Sequence, residues 1–304
     1  MNESYSGTTR SVDQAATLRE SRRAGKGRKS MSSVTRVMSF TSGKGGVGKT
    51  HSVVNIGLAL AREGRSVLIL DADLGLANID VMLGLQPRYT LSDLFAGDKT
   101  LDEIIVNGPS GLSIIPAASG VESMCHLSPE QRLMLIEAVE DVAARFDYLL
   151  IDTQAGIGAD VLHFNSAASE IVCVINAEPT SLTDAYALIK VLAQNYGEKE
   201  FSIVANNVVD AAEGNRAFAR LAKSVERFLH VRLKYLGYVP RDGAVNDSIR
   251  CQRALLEVFP SSAAGLALAG LARRIDAEFY DNRVKGGMQF FFEQLLTVGD
   301  SHGR

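Results

Sequence analysis

Residues 43–50 read Gly43-Lys44-Gly45-Gly46-Val47-Gly48-Lys49-Thr50, which fits the pattern G-x-x-x-x-G-K-[ST]. No other stretch restricts the fold of this chain as strongly. The pattern needs a strand leading in and a helix leading out. Glycines let successive backbone N–H groups turn inward around phosphate oxygens, and the positive end of the following helix adds to the field. Lys49 brings a full charge to the β- and γ-phosphates, and Thr50 offers a hydroxyl to Mg²⁺. Both flanks comply: 34–41 is a β-rich run and 50–62 has helical spacing. Lys44 is a second lysine within the loop. One lysine suffices for a single phosphate cradle, so Lys44 is either a solvated loop residue or one that reaches a neighbouring molecule's phosphates.

The rest of the chain repeats this alternation. Short apolar runs at 66–71 (SVLILD), 111–116 (GLSIIP), 148–152 (YLLID), 171–176 (IVCVIN), 201–206 (FSIVAN) and 233–239 read as strands. Helices are expected at 129–145, opened by Ser128 as N-cap and Pro129 in its first turn, and at 161–169, 180–196, 213–229 and 261–279. Strands apolar on both faces, separated by helices, imply an α/β fold. Its sheet is doubly wound and mostly parallel, with helices on both faces. In such a sheet ligands sit beyond the carboxyl ends of the strands. Asp71, Asp73 and Asp152 fall there. Three carboxylates beside a phosphate loop suit ligation of Mg²⁺ and its waters and the positioning of an attacking water. Any one of them can instead be a helix cap or loop residue.

Composition narrows the class. Of 304 residues, 46 % are hydrophobic and 22 % charged, which excludes a collagen-like or wholly disordered chain. Three dispersed cysteines, Cys125, Cys173 and Cys251, exclude a disulfide scaffold and fit a reducing compartment. They also lack the clustering an iron–sulfur carrier needs. There is no apolar run of transmembrane length and no apolar signal core, so a cytoplasmic chain is expected. Residues 1–30 hold seven bases and three acids, a net of +4; with −3 for the whole chain, the body is left at −7. Residues 1–33 are therefore read as a basic arm, flexible overall. Within it, 11–20 has the pattern of a short helix that would form only against a partner.

Two helical faces remain. In 287–299 (GMQFFFEQLLTVG), Met288, Phe291, Phe292, Leu295 and Leu296 share one face, widened by Phe290. Each large side chain removed from water contributes roughly 1.5–3 kcal/mol, enough in sum for reversible binding at a membrane surface. A helix docked on the body is the other reading. The chain thus divides into the arm (1–33), an ATPase domain (34–282) and an amphipathic C-terminal piece (283–304). Arg216, Arg220, Lys223 and Arg227 form a basic line suited to nonspecific DNA. Glu213 and Glu226 interrupt it, and the acidic body argues against nucleic acid as the main partner.

Lys44–Thr50, together with 71–78 (DADLGLAN) and 152–157 (DTQAGI), resembles the three motifs of the MinD/ParA family of deviant Walker A ATPases. The segments 116–120 (PAASG) and 178–190 (EPTSLTDAYALIK), with the Phe-rich C-terminus, resemble the flagellar-number (FlhG-type) branch of that family. Asp13, Gln14, Leu18 and Arg19 match the branch's N-terminal DQAxxLR activator element. The resemblance implies a homodimer clamped by two ATP molecules, with ATP, ADP and Mg²⁺ as ligands. It assigns Lys44 to the partner's phosphates, Asp73 to the attacking water, Lys49 to the phosphates, and Thr50, Asp71 and Asp152 to the metal. Gly43–His51 would hold nucleotide, with Asn206, Pro240 and Asp242 on the adenine side. It further implies stimulation of an FlhF-type signal-recognition GTPase, contacts with a flagellar transcriptional activator and C-ring proteins, and ATP-dependent residence on the anionic inner membrane. A ParA-like DNA-partitioning ATPase is the alternative. Two positions depart from the family pattern: His51 stands where Thr or Asn is usual, and Gln154 where Pro or Ala is usual.

Overall fold

A computed structural model describes residues 35–74, 78–117 and 128–278. The expected activator element around Asp13–Arg19, the expected apolar face from Met288 to Leu296 and Cys125 lie outside these residues. Within them, eight strands form one sheet in the order β3-β4-β2-β5-β1-β6-β7-β8. The strands are β1 (Arg36–Ser42), β2 (Val67–Ala72), β3 (Val106–Asn107), β4 (Ser113–Ile115), β5 (Tyr148–Ala155), β6 (Glu170–Ile175), β7 (Glu200–Val208) and β8 (Arg232–Pro240). All neighbours run parallel except β3 and β4 at one edge.

The expected strands are all present, with bounds that differ by at most three residues. β3 is an addition. It is a two-residue antiparallel strand, too short to carry a periodic signal. The major helices are α1 (Lys49–Arg62), α5 (Pro129–Ala143), α6 (Ala159–Ala167), α7 (Pro179–Asn195), α8 (Ala211–Phe228) and α11 (Ala263–Ala277). Short helices α2 (Ile79–Leu83), α3 (Leu91–Phe95), α4 (Leu101–Ile104), α9 (Gly243–Arg250) and α10 (Leu255–Val258) were not expected. At four to eight residues they hold too few turns to show a hydrophobic period. Ser128 does cap α5: its hydroxyl accepts from Gln131 N at 3.2 Å, and the Gln131 side chain accepts from Ser128 N at 2.9 Å.

Burial on both faces follows from strand alternation. Val37, Leu68, Leu70, Leu149 and Ile151 point to one side, where they meet Leu135, Val139 and Val142 of α5. Met38, Phe40, Ile69 and Leu150 point to the other, against Val53, Val54, Ile56 and Leu60 of α1 and Leu268, Leu271 and Ile275 of α11. A third cluster joins β6 and β7 to Leu188, Ile189 and Leu192 of α7 and to Ala217, Leu221 and Val225 of α8. Cys173 sits in that cluster, and burial pushes its thiol up to about 12, which marks it as a packing residue. From β1 the chain builds outward first through β2 and β4, then returns by β5 and crosses to β6, β7 and β8. The crevice beyond β1 and its neighbours lies where that order reverses.

Candidate nucleotide site

The phosphate loop leaves β1 at Ser42 and enters α1 at Lys49. Gly46 and Gly48 have φ of +75° and +85°, a left-handed conformation that side chains rarely adopt. Space is also short. A Cβ on Gly48 would lie 2.2 Å from Asn206 Nδ2, and one on Gly43 would lie 2.2 Å from the backbone of Asp184 in α7. Asn206 fixes the loop by donating from Nδ2 to the Val47 carbonyl at 2.7 Å. Gly48 has no side chain to cap α1, and the first turn of α1 holds no acid. The first N–H groups of that helix, with its positive end, are thus left for an anionic ligand.

Beyond the loop opens a cleft of about 480 Å³. Its walls are residues 45–51, Ser42, Asp73, Asn78 and Ala155, with Val81 and Met82 of α2 and Ile249 and Gln252 opposite. Lys49 Nζ donates to Asp152 Oδ1 at 2.6 Å, and both side chains are buried. Asp152 and Asp71 are direct cross-strand neighbours on β5 and β2. Burial, reinforced by the Asp152 charge, pushes Asp71 up to about 7. Three backbone N–H groups oppose that rise: those of Asp73 and Asn78 at 3.1 Å and of Ile79 at 3.3 Å. Through these bonds Asp71 also has a structural role. It ties the turn carrying Asp73 to the start of α2.

Asp73 follows β2 and lines the cleft. Its Oδ1 accepts from Gln154 Nε2 at 3.0 Å. Lys44 lies at the exposed rim and donates to Glu178 Oε2 at 2.7 Å and to Thr180 Oγ1 at 3.1 Å, at the start of α7. His51 is 8 % exposed and its Nε2 has no hydrogen-bond partner. Burial pushes its imidazole down to about 4.

Lys49, Thr50, Asp71, Asp73 and Asp152 thus converge on one site, with Lys44 at its edge. Pro240 and Asp242 are placed differently. They end β8 and cap the start of α9, and like Asp71, Asp152 and Asn206 they do not line the cleft itself. The Asp242 carboxylate accepts from Ala244 N and Ala264 N, both at 3.0 Å, so it joins the starts of α9 and α11. Those N–H groups hold it below the usual carboxylate range. Asn206 and Val239 pair across β7 and β8, which keeps both strand ends beside the loop.

The donor set fits a magnesium nucleotide. Among the described residues no group of three or more His, Cys, Asp or Glu could hold a metal alone. A loop hydroxyl and two buried carboxylates suit Mg²⁺, which binds through few protein ligands and otherwise through phosphate and water. Sequence reasoning missed Glu178 and Thr180 as partners of Lys44, the loop brace from Asn206, and the wall formed by Val81, Met82, Ile249 and Gln252. These come from segments distant along the chain, and no local pattern marks them.

Comparison with known proteins agrees with this geometry. A family model described as an AAA domain matches residues 35–203. The chain is 47 % identical over 260 residues to the antiactivator FleN of Pseudomonas aeruginosa, covering 86 % of this chain and 93 % of that one. It is 32 % identical over 266 residues to the flagellum site-determining protein YlxH of Helicobacter pylori, covering 86 % and 90 %. Among solved structures, the septum site-determining protein MinD of Pyrococcus horikoshii, complexed with Mg-ADP, matches with a TM-score of 0.65 and 27 % identity over 80 % of this chain and 96 % of that one.

Proposed function

The chain belongs to the MinD/ParA family of P-loop ATPases, and from that premise we propose that it is an ATP-dependent dimerising switch that regulates flagellar number and placement. The observation that carries the switch reading is the split between its two loop lysines. Lys49 is buried and committed inward to Asp152, whereas Lys44 sits exposed at the rim on Glu178. A rim lysine can leave a solvent-exposed partner at little cost and reach the phosphates of a second copy docked on the cleft. The flagellar assignment is supported by the similarity to FleN and YlxH over most of the chain.

In this reading Lys49 and the loop N–H groups hold the phosphates, and Thr50, Asp71 and Asp152 serve Mg²⁺ directly or through its waters. When bound, Mg²⁺ neutralises charge on the phosphates. Asp73 positions the attacking water. Hydrolysis to ADP removes the shared γ-phosphate anion, so the clamp opens and the chain returns to monomer. Slow turnover makes it a timer. In the ATP state the face from Met288 to Leu296 carries the dimer to the inner membrane, and Asp13, Gln14, Leu18 and Arg19 stimulate an FlhF-type GTPase. The flagellar transcriptional activator and C-ring proteins are the other partners of this reading.

Size-exclusion chromatography of wild type and Asp73→Ala, with ATP or ADP and with or without anionic liposomes, tests it. Asp73→Ala should accumulate as an ATP-dependent, vesicle-bound dimer. A chain that stays monomeric in ATP refutes the switch. One specific observation favours a second reading, a DNA-partitioning ATPase: Arg216, Arg220, Lys223 and Arg227 are all exposed along α8. That reading requires ATP-dependent duplex binding that weakens steeply with salt.

A further inference from the structure

We propose that Gln154 is a positioning residue for ATP cleavage, its side-chain amide holding the Asp73 carboxylate in the orientation that aligns the attacking water. The inference rests on the role given to Asp73 above.

The argument starts from β5. Side chains two apart on a strand share a face, so Gln154 follows Asp152 on the side that carries the site. Asp152 is buried and takes Lys49, while Gln154 emerges where the strand reaches solvent. Asp73 lies just past the end of β2, beyond the ladder that pairs β2 with β5 through Ala72 and Thr153. Its backbone is set by the N–H bond to Asp71, which leaves the carboxylate two side-chain torsions. The Gln154 amide restricts them by donating to Oδ1 at 3.0 Å. A bond to a charged acceptor is stronger than one between neutral groups. The amide also adds no charge of its own beside the carboxylate. Proline or alanine at this position would offer no side-chain donor.

In the step served, the water oxygen bonds to the γ-phosphorus as the bond to the bridging oxygen breaks. ADP leaves with that electron pair, and the water protons pass to phosphate and solvent. Asp73 supplies direction to the water, and Gln154 supplies direction to Asp73. Because the Gln154 side chain donates to the Asp73 carboxylate and makes no hydrogen bond to the phosphate loop among the described residues, its removal should slow cleavage without weakening nucleotide binding.

The test uses the full chain with Mg²⁺ and ATP, reading single-turnover cleavage and the Kd of a fluorescent ATP analogue. Gln154→Ala should slow cleavage by about three- to tenfold, the range for a typical net hydrogen bond, with Kd unchanged. Gln154→Met keeps the length of the side chain and removes the donor, so it should cleave as slowly as Gln154→Ala, again with Kd unchanged. A purely structural role, in which the side chain only fills space, would leave Gln154→Met at the wild-type rate. Unchanged or faster cleavage in Gln154→Ala, loss of rate and affinity together, or wild-type cleavage in Gln154→Met overturns the proposal. Asp73→Asn is run alongside. If it cleaves at the wild-type rate, the role of Asp73 itself fails and the proposal with it. If it is inactive while Gln154→Ala is normal, only the proposal fails.

Discussion

Replacing His51 by glutamine should remove a large part of the acid sensitivity of this domain. His51 lies in the first turn of α1, is 8 % exposed, and has an unpartnered Nε2. Burial pushes its pKa from 6.5 down to about 4. The folded state therefore holds the imidazole neutral, while the unfolded chain takes up a proton below about pH 6.5. Stability from this group is complete above the unfolded pKa and is lost as the pH falls from 6.5 towards 4. Linkage over that gap gives a loss of about 2 kcal/mol between pH 7.5 and 5.0, and a ceiling of roughly 3 kcal/mol at lower pH. For a domain of this size that is a Tm shift of about 4–8 °C. Asp71, raised to about 7 by burial and the Asp152 charge, acts in the opposite sense. Its folded form binds the proton more tightly, so it gains stability as the pH falls towards its unfolded value. Absolute profiles therefore mix both groups, whereas the comparison of variant with wild type isolates His51. Urea unfolding of the nucleotide-free protein at pH 7.5 and 5.0 measures it. The fixed cost of the substitution cancels, because only the change with pH is compared. If His51→Gln loses as much stability on acidification as wild type, within about 0.5 kcal/mol, the buried neutral imidazole is not the source and the reasoning is wrong.

Other consequences are shorter to state. Gly48→Ala forces a side chain onto a φ of +85° and against Asn206, so it should abolish binding of a fluorescent ATP analogue and cost about 1–3 kcal/mol in urea unfolding. Asp152→Ala leaves Lys49 buried without its counter-charge; a loss of about 3–5 kcal/mol is expected by the same measurement. Asn206→Ala frees the Val47 carbonyl and should cost about 1–3 kcal/mol. It should also raise the Kd for nucleotide in a fluorescence titration, since the loop loses its brace.

The parts of this fold that sequence revealed are those governed by short-range periodicity. β1 and β2 are buried at every position; β2 writes itself as an apolar run from Val67 to Leu70, and β1 shows Val37, Met38 and Phe40 among small hydroxyl residues. The phosphate loop was legible because its glycines answer a local demand, the left-handed turns at Gly46 and Gly48. The cleft wall was not. Ile249 and Gln252 flank the turn after α9, and Gln252 reaches across to the Val81 carbonyl at 3.0 Å. Nothing within a window of ten residues around either segment records that contact. The same holds for Asp242. Its sequence context marks a turn, and only the return of α11 to the same point shows that its second oxygen takes Ala264 N.

The polar contacts of the site follow one rule. Three groups that chemistry would turn towards a nucleotide already have a protein partner: Lys49 with Asp152 and Lys44 with Glu178 by charge, and Asp73 with the neutral Gln154 amide. Their burial differs, and so does the ease of exchange. The Lys49–Asp152 pair is enclosed, so separating it without replacement leaves a desolvated charge, and only a ligand bringing its own anion and cation can take it apart. The Lys44–Glu178 pair is about half exposed on both sides, so water and salt already compete for it. On the reading proposed above, the inner pair would favour a ligand that brings anion and cation together. The outer lysine stays available to whatever second anion approaches the rim. A loop with both lysines buried would bind nucleotide but could not report it to a neighbour. With both exposed it would meet other chains whether or not nucleotide was bound. On the reading proposed above, placing one inside and one at the edge would make contact with a second molecule conditional on what the cleft holds.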